Sequence, residues 1–318
     1  MRPNRRRYCS FMFKSSRKRR SPQAADPQRS VDESLVKDVP EHLEIPLRQW
    51  VMVLLQDDEA SAQKVALLLR LRVDTGPRSY SPAEFLASRT TNEQLLDVVD
   101  AMLRLSAPSG SRSFAVGGTG IYRLDMAGDR GLGSAVRWRA IEALQEMLTL
   151  AGSAYRVNDA ATGLELRVDA TGQQAVTSAL AASQTPQSGS AADHLATAWR
   201  CVYGRDPDPS KAYGEAIKAV ECASQSTIEP NNSKATLGTM IKVLGNSPQK
   251  FTTAIPAAVG DDITLVVDMM RRLWQGQTSR HGSQAPTRHE TQQQAEMSVQ
   301  LAVTLVQWFT SDLVRRLP

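Results

Sequence analysis

Apolar residues recur every three to four positions through most of the chain, the spacing that lines one side of an α-helix. The pattern predicts helices over 45–56 (IPLRQWVMVLLQ) and 59–72 (EASAQKVALLLRLR). In the second, Val65, Leu68, Leu69 and Leu71 crowd one side, and Asp57 or Asp58 can cap the start. SPAEFLAS opens with Ser81 as N-cap, Pro82 at the first helical position and Glu84 three residues after the cap, a reciprocal capping arrangement. NEQLLDVVDAMLRL (92–105) puts Leu95, Val98, Val99, Met102 and Leu103 on one face, and a further amphipathic helix covers about 133–150. The period then changes. SAYRVNDAATGLELRVD (153–169) alternates, with Asn158, Asp159 and Gly163 between two apolar runs, and predicts a β-hairpin. Such a hairpin must lean on helices, because alone it is marginally stable. A helix over about 171–183 follows.

The polar stretch SQTPQSGSAAD (183–193) predicts an internal boundary near 186–190. Beyond it lie helical patterns at 192–204, from 209 onward, and at 231–245, 261–275 and 289–316. Asp208 and Pro209 form a cap and first-turn pair, Ser233 can cap the next helix, and Gly245 can stop it. Asp261 and Asp262 favour the N-terminus of the fourth, and Arg271 and Arg272 its C-terminal end. The expected fold class is mainly α. An α-rich domain over 39–185, with one hairpin near 153–169, precedes a helical bundle over 191–318. The Gly-rich stretch SAPSGSRSFAVGGTG (106–120) lacks the Lys-Ser/Thr of a phosphate-binding loop and reads as a turn before a short strand, IYRLD (121–125).

Composition agrees with helices: 41% of residues are hydrophobic but only 5% aromatic, so the cores must be aliphatic. The three cysteines, Cys9, Cys201 and Cys222, are far apart and form no zinc spacing, which fits reduced thiols in a cytoplasmic chain. No apolar run approaches the roughly 18 residues of a membrane span, so no membrane partner is expected. Charge changes the picture more. The net charge is +5, yet the first twenty residues carry nine Arg or Lys and no acid, so the rest of the chain is acidic by four charges. Residues 1–38 therefore predict a disordered basic tail. Arg5, Arg6, Arg7, Arg17, Lys18, Arg19 and Arg20 would let it hold nucleic acid without sequence preference, while a solvated arm or an organelle transit peptide would share the same composition.

Candidate chemistry concentrates in one short connection, WQGQTSRHG (274–282) and the residues after it. It carries two Arg-His pairs, Arg280–His281 and Arg288–His289, just beyond Arg272. Cleaving a phosphodiester without metal needs a group that moves protons near neutral pH, the work of His, and a fixed cation that stabilises the phosphate, the work of Arg. An RNA 2′-hydroxyl would then be the internal nucleophile. Basic residues after a helix also complement its dipole with no chemistry at all. No HExxH or carboxylate–His cluster suggests a metal, and no cofactor is expected. On the helix after Pro209, Lys211–Glu215 and Lys218–Glu221 have the spacing of solvated ion pairs.

The order of motifs from about 191 to 312 resembles the abortive-infection C-terminal domain family of bacterial and phage genomes. The segments that carry the resemblance are HLATAWRCVYGRDPDPSKAYGEAIKAVECA, NNSKATLGTMIKVLG, a Trp-containing helix ending at RHG, and AEMSVQLAVTLVQWF. That family is similar to the HEPN class of small helical domains. The resemblance implies a bundle that dimerises and a metal-independent ribonuclease role in phage defence or toxin systems. His281 matches the family's HG position. The family's Arg would fall at 274–276, which holds Trp274, Gln275 and Gly276, so Arg280 is the expected phosphate clamp beside His281 as general acid/base. Arg272, Arg288 and His289 are the expected supporting nucleic-acid contacts. A non-catalytic binding module of the same kind of system is the alternative.

Overall fold

The structure, a computed structural model, describes residues 35–73, 80–106, 134–279 and 288–318. Eleven α-helices and four short strands are found among them. In the first half, α1 (Glu41–Leu55), α2 (Glu59–Leu68), α3 (Pro82–Ser88), α4 (Asn92–Leu105) and α5 (Ser134–Leu150) precede the hairpin of β1 (Tyr155–Val157) and β2 (Leu164–Leu166). Local chemistry sets the starts. The Asp58 carboxylate accepts the Ser61 N–H, and both Ser81–Glu84 and Thr91–Gln94 form complete capping boxes. The apolar stripes of these helices meet in one cluster that holds Leu47, Leu86, Leu95 and Leu144.

The hairpin pairs Tyr155 with Leu166 and Val157 with Leu164. It hangs from α4 through a buried carboxylate: Asp100 accepts the Leu164 N–H at 2.7 Å and pairs with Arg104 at 2.7 Å. Burial raises the Asp100 pKa, against the lowering effect of that backbone donor and of Arg104. Residue 163 must be glycine here, because a Cβ would stand 2.8 Å from the Asp100 Oδ1.

The second half comprises α6 (Ala170–Ala182), α7 (Ala191–Tyr203), α8 (Pro209–Ile228), α9 (Leu237–Asn246), β3 (Phe251–Thr253), α10 (Thr264–Gly276), α11 (Gln292–Thr310) and β4 (Val314–Arg316). Their buried faces form a second cluster, with Leu195, Val220, Met240, Met270 and Val306 at its centre. Helix α6 contributes Val176 and Ala179 to this second core although it precedes the polar stretch at 183–193. Within that stretch Pro186–Ser188 is a 3₁₀ turn with Ser188 buried. Leu35–Pro318 forms one compact unit. Arg205, just after α7, bridges its two cores: Nε donates to Asp97 at 2.7 Å, one Nη to the Tyr155 hydroxyl at 2.8 Å, the other to the Glu93 carbonyl at 3.2 Å.

Several expectations change. Residues 35–38, read as the end of the tail, belong to the fold: Val36 exchanges backbone hydrogen bonds with Gly152 (3.0 Å) and Ala154 (2.8 Å). Helix α9 starts at Leu237 with Thr236 as its cap rather than at Ser233, because Asn232 is drawn into bonds with Glu229 and Gln225. It also runs through Gly245. Helix α10 begins at Thr264, since Asp262 is engaged by Thr252 and the Ala257 N–H. The last helix ends at Thr310, and β4 then pairs antiparallel with β3, Thr252 opposite Arg315. The strand at 121–125 and the Gly-rich turn before it lie outside the described residues.

Candidate functional site

The first turn of α8 is the floor of the site. Asp208 accepts the Lys211 N–H at 3.0 Å, and Pro209 supplies the fixed φ of a first helical residue, so Ser210 is held in place. Glycines let the end of α10 approach this turn. A Cβ at Gly276 would collide with the Tyr213 hydroxyl, and one at Gly214 would stand 3.4 Å from the Gln277 side chain. Gly238 on α9 likewise makes room for the Trp274 ring.

Glu290 then closes the connection between α10 and α11. Its carboxylate is buried, with 5% exposure. Oε1 accepts the backbone N–H of Thr278 at 2.8 Å and of Ser279 at 2.9 Å; Oε2 accepts the hydroxyls of Ser210 at 2.7 Å and Ser279 at 2.8 Å. The Thr278 hydroxyl donates to the Arg288 carbonyl at 2.8 Å, a second tie between the two ends. Burial would raise the Glu290 pKa, but the donors from Ser210 and Ser279 outweigh it and lower the value to about 2. The adjacent α8 N-terminus also favours an anion.

Of the predicted site residues, Arg280 and His281 lie outside the described residues, as do Arg5, Arg6, Arg7, Arg17, Lys18, Arg19 and Arg20. Arg272 is exposed on α10, beside Arg271, which pairs with Asp268 at 2.5 Å. Arg288 and His289 are exposed at the far end of the connection. The fold brings His289 to the floor, with Nδ1 3.4 Å from the Ser210 hydroxyl. Ser210, His289 and Glu290 do not make a nucleophile–base relay, because the hydroxyl proton is directed to the carboxylate and not to the imidazole. Sequence reasoning missed Glu290, Ser210, Thr278 and Ser279. The one available signal was an acid directly before Thr291, itself the cap of α11.

A second polar cluster lies on the α7–α8 seam. His194 Nδ1 is 2.6 Å from Glu215, which also accepts from Lys218 at 2.8 Å. Burial opposes ionisation of Glu215, yet Lys218 and His194 prevail and lower its pKa. The ion pairs differ from the expected ones: Glu215 takes Lys218 rather than Lys211, and Glu221 accepts the Leu237 N–H at 2.7 Å. Cys201 and Cys222 are free thiols, and Cys222 Sγ lies 3.5 Å from the Ser190 hydroxyl.

Among the described residues, no group of three or more His, Cys, Asp or Glu side chains is arranged to hold a metal ion, and no helix is long and apolar enough to cross a membrane. No protein-family model matches the chain, and no curated protein or solved structure matches it.

Proposed function

We propose that the C-terminal helical region is an RNA-binding domain of a phage-defence or toxin-type protein, HEPN-like in kind, that cleaves RNA without metal at the α10–α11 connection. In this reading His281 is the general acid/base and Arg280 the phosphate clamp, with Arg272, Arg288 and His289 holding the strand, and two copies pair through the bundle. The observation that carries it is the Glu290 clamp. A buried carboxylate with four short hydrogen bonds joins both ends of a connection that contains two Arg-His pairs. Holding the two ends of such a segment together serves phosphate recognition, because charge on the phosphate is best stabilised by donors that need not move.

The experiment is a ribonuclease assay with EDTA present, comparing the wild-type protein with His281→Ala. Cleavage by the wild type that disappears in the variant, with RNA binding retained, supports the enzyme. Equal cleavage by both, or none by either, removes it. A second reading, a binding module without catalysis, is favoured by Trp274, Gln275 and Gly276, which stand where the family's Arg would fall. It is distinguished by RNA affinity that falls in Arg288→Ala while no cleavage occurs.

A further inference from the structure

A shallow, open depression of about 320 Å³ lies where the 3₁₀ turn before α7 meets the end of α8 and the segment leading to α9. Its walls are Gln187, Gln225, Ser226, Pro230, Asn231 and Ser233. Three carboxamides, two hydroxyls and one proline ring line it, with no charged side chain. Gln225 Nε2 donates to the Asn232 carbonyl at 2.6 Å, which fixes that wall and turns the acceptor Oε1 into the group Gln225 can offer. A phosphate or carboxylate finds no cation here. A mostly apolar lining edged by uncharged donors and acceptors suits a flat heterocycle whose edge alternates donors and acceptors, which is the chemistry of a nucleobase.

The depression ends a polar track. Lys211, Lys218 and Gln225 recur every seven residues along α8, which brings them to one side of the helix. Lys211 and Lys218 are exposed, and Lys211 follows Ser210 at the foot of the connection. From Lys211 to Gln225 the helix rises about 21 Å. Lys218 shares Glu215 with His194, so the positive charge along the track is moderate. Specificity would have to come from bases.

We propose that this depression receives one unpaired base of a single-stranded RNA whose backbone follows the Lys211–Lys218 line from the α10–α11 connection. The inference rests on the RNA-binding reading above and adds a base-recognising subsite to it. A duplex cannot fill the depression without giving up a base pair, because its Watson–Crick edges are occupied.

The test is fluorescence anisotropy of the full chain with short labelled RNA homopolymers and an RNA duplex. The wild type is compared with the double variant Gln187→Leu plus Asn231→Leu. Both positions are exposed, and the exchange removes hydrogen-bonding groups while keeping size and charge. The expected result is a loss of about tenfold in single-strand affinity, the cost of one or two hydrogen bonds. The homopolymer ranking should flatten, while the salt dependence and melting temperature stay unchanged. A double variant that binds every homopolymer as the wild type does overturns the subsite and leaves the RNA reading standing, as does a duplex that binds as tightly as single strands. A wild type that binds no RNA at low salt overturns both.

Discussion

The Ser210 hydroxyl donates to the Glu290 carboxylate at 2.7 Å across eighty residues of sequence. The bond ties the first turn of α8 to the entry of α11, and the other oxygen of the same carboxylate takes the N–H groups of Thr278 and Ser279. Glu290→Gln keeps the shape but loses the charge and replaces one acceptor with a donor facing other donors. Chemical denaturation should register a loss of about 1–3 kcal/mol, the usual cost of a buried, charge-assisted network left unsatisfied. An unchanged midpoint would mean that the connection is not held by this group.

The same carboxylate sets an acid limit. Its folded pKa of about 2 lies below the ordinary value of 4.5, so its contribution to stability is complete above the ordinary value and is lost as pH falls toward the folded one. Between about pH 4.5 and 2 the wild type should lose more stability than Glu290→Gln, which has no carboxylate to protonate. Parallel pH profiles for the two proteins would contradict this.

Arg205 should couple the two cores. Its side chain bonds α4 and the hairpin from a position just beyond α7. Arg205→Ala is expected to cost about 1–3 kcal/mol. It should also separate the unfolding of the two clusters, seen as earlier hydrogen exchange in α1–α5 than in α7–α11 or the reverse. Uniform exchange across both, as in the wild type, would assign the coupling to apolar contacts instead.

Gly238→Ala sets two effects against each other. Alanine favours a helix interior over glycine by about 1 kcal/mol, but Gly238 is the second residue of α9, where that gain is smaller, and the new Cβ would stand 2.8 Å from Trp274 Cζ2. Overpacking of this kind costs about 1–3 kcal/mol, so net destabilisation is expected, with a shift in Trp emission as the indole moves.

RNA binding by the full chain should be more salt-dependent than binding by a chain beginning at residue 35, which keeps Val36 on Gly152 and Ala154. Each phosphate neutralised by Arg5, Arg6, Arg7, Arg17, Lys18, Arg19 or Arg20 adds about 0.7 to the slope of log affinity against log salt for a single strand. Equal slopes would remove the tail from the interface.

Much of the architecture was legible in the residues because it is local. Ser81 with Glu84 and Asp208 with Pro209 act within one helical turn, and the alternation at 153–169 needs only neighbouring residues to be read. The pairing of β3 with β4 was not legible, since three-residue segments carry no usable period and the partners lie about sixty residues apart. Glu290 was hidden for a related reason. An acid beside Arg288 and His289 looks solvent-facing in sequence, and its burial depends on donors that arrive from α8 and from the end of α10.

By itself, the order of apolar and capping residues determined a mainly helical chain with one hairpin near 153–169 and a basic segment ahead of it, because helix stripes and caps are written in residues a few positions apart. Only the tertiary structure decided that Arg205 joins the two cores, that α6 packs with the second of them, and that a buried carboxylate closes the α10–α11 connection. Those outcomes depend on groups distant in sequence meeting where water is excluded, and there an unpaired charge is too costly to leave without partners.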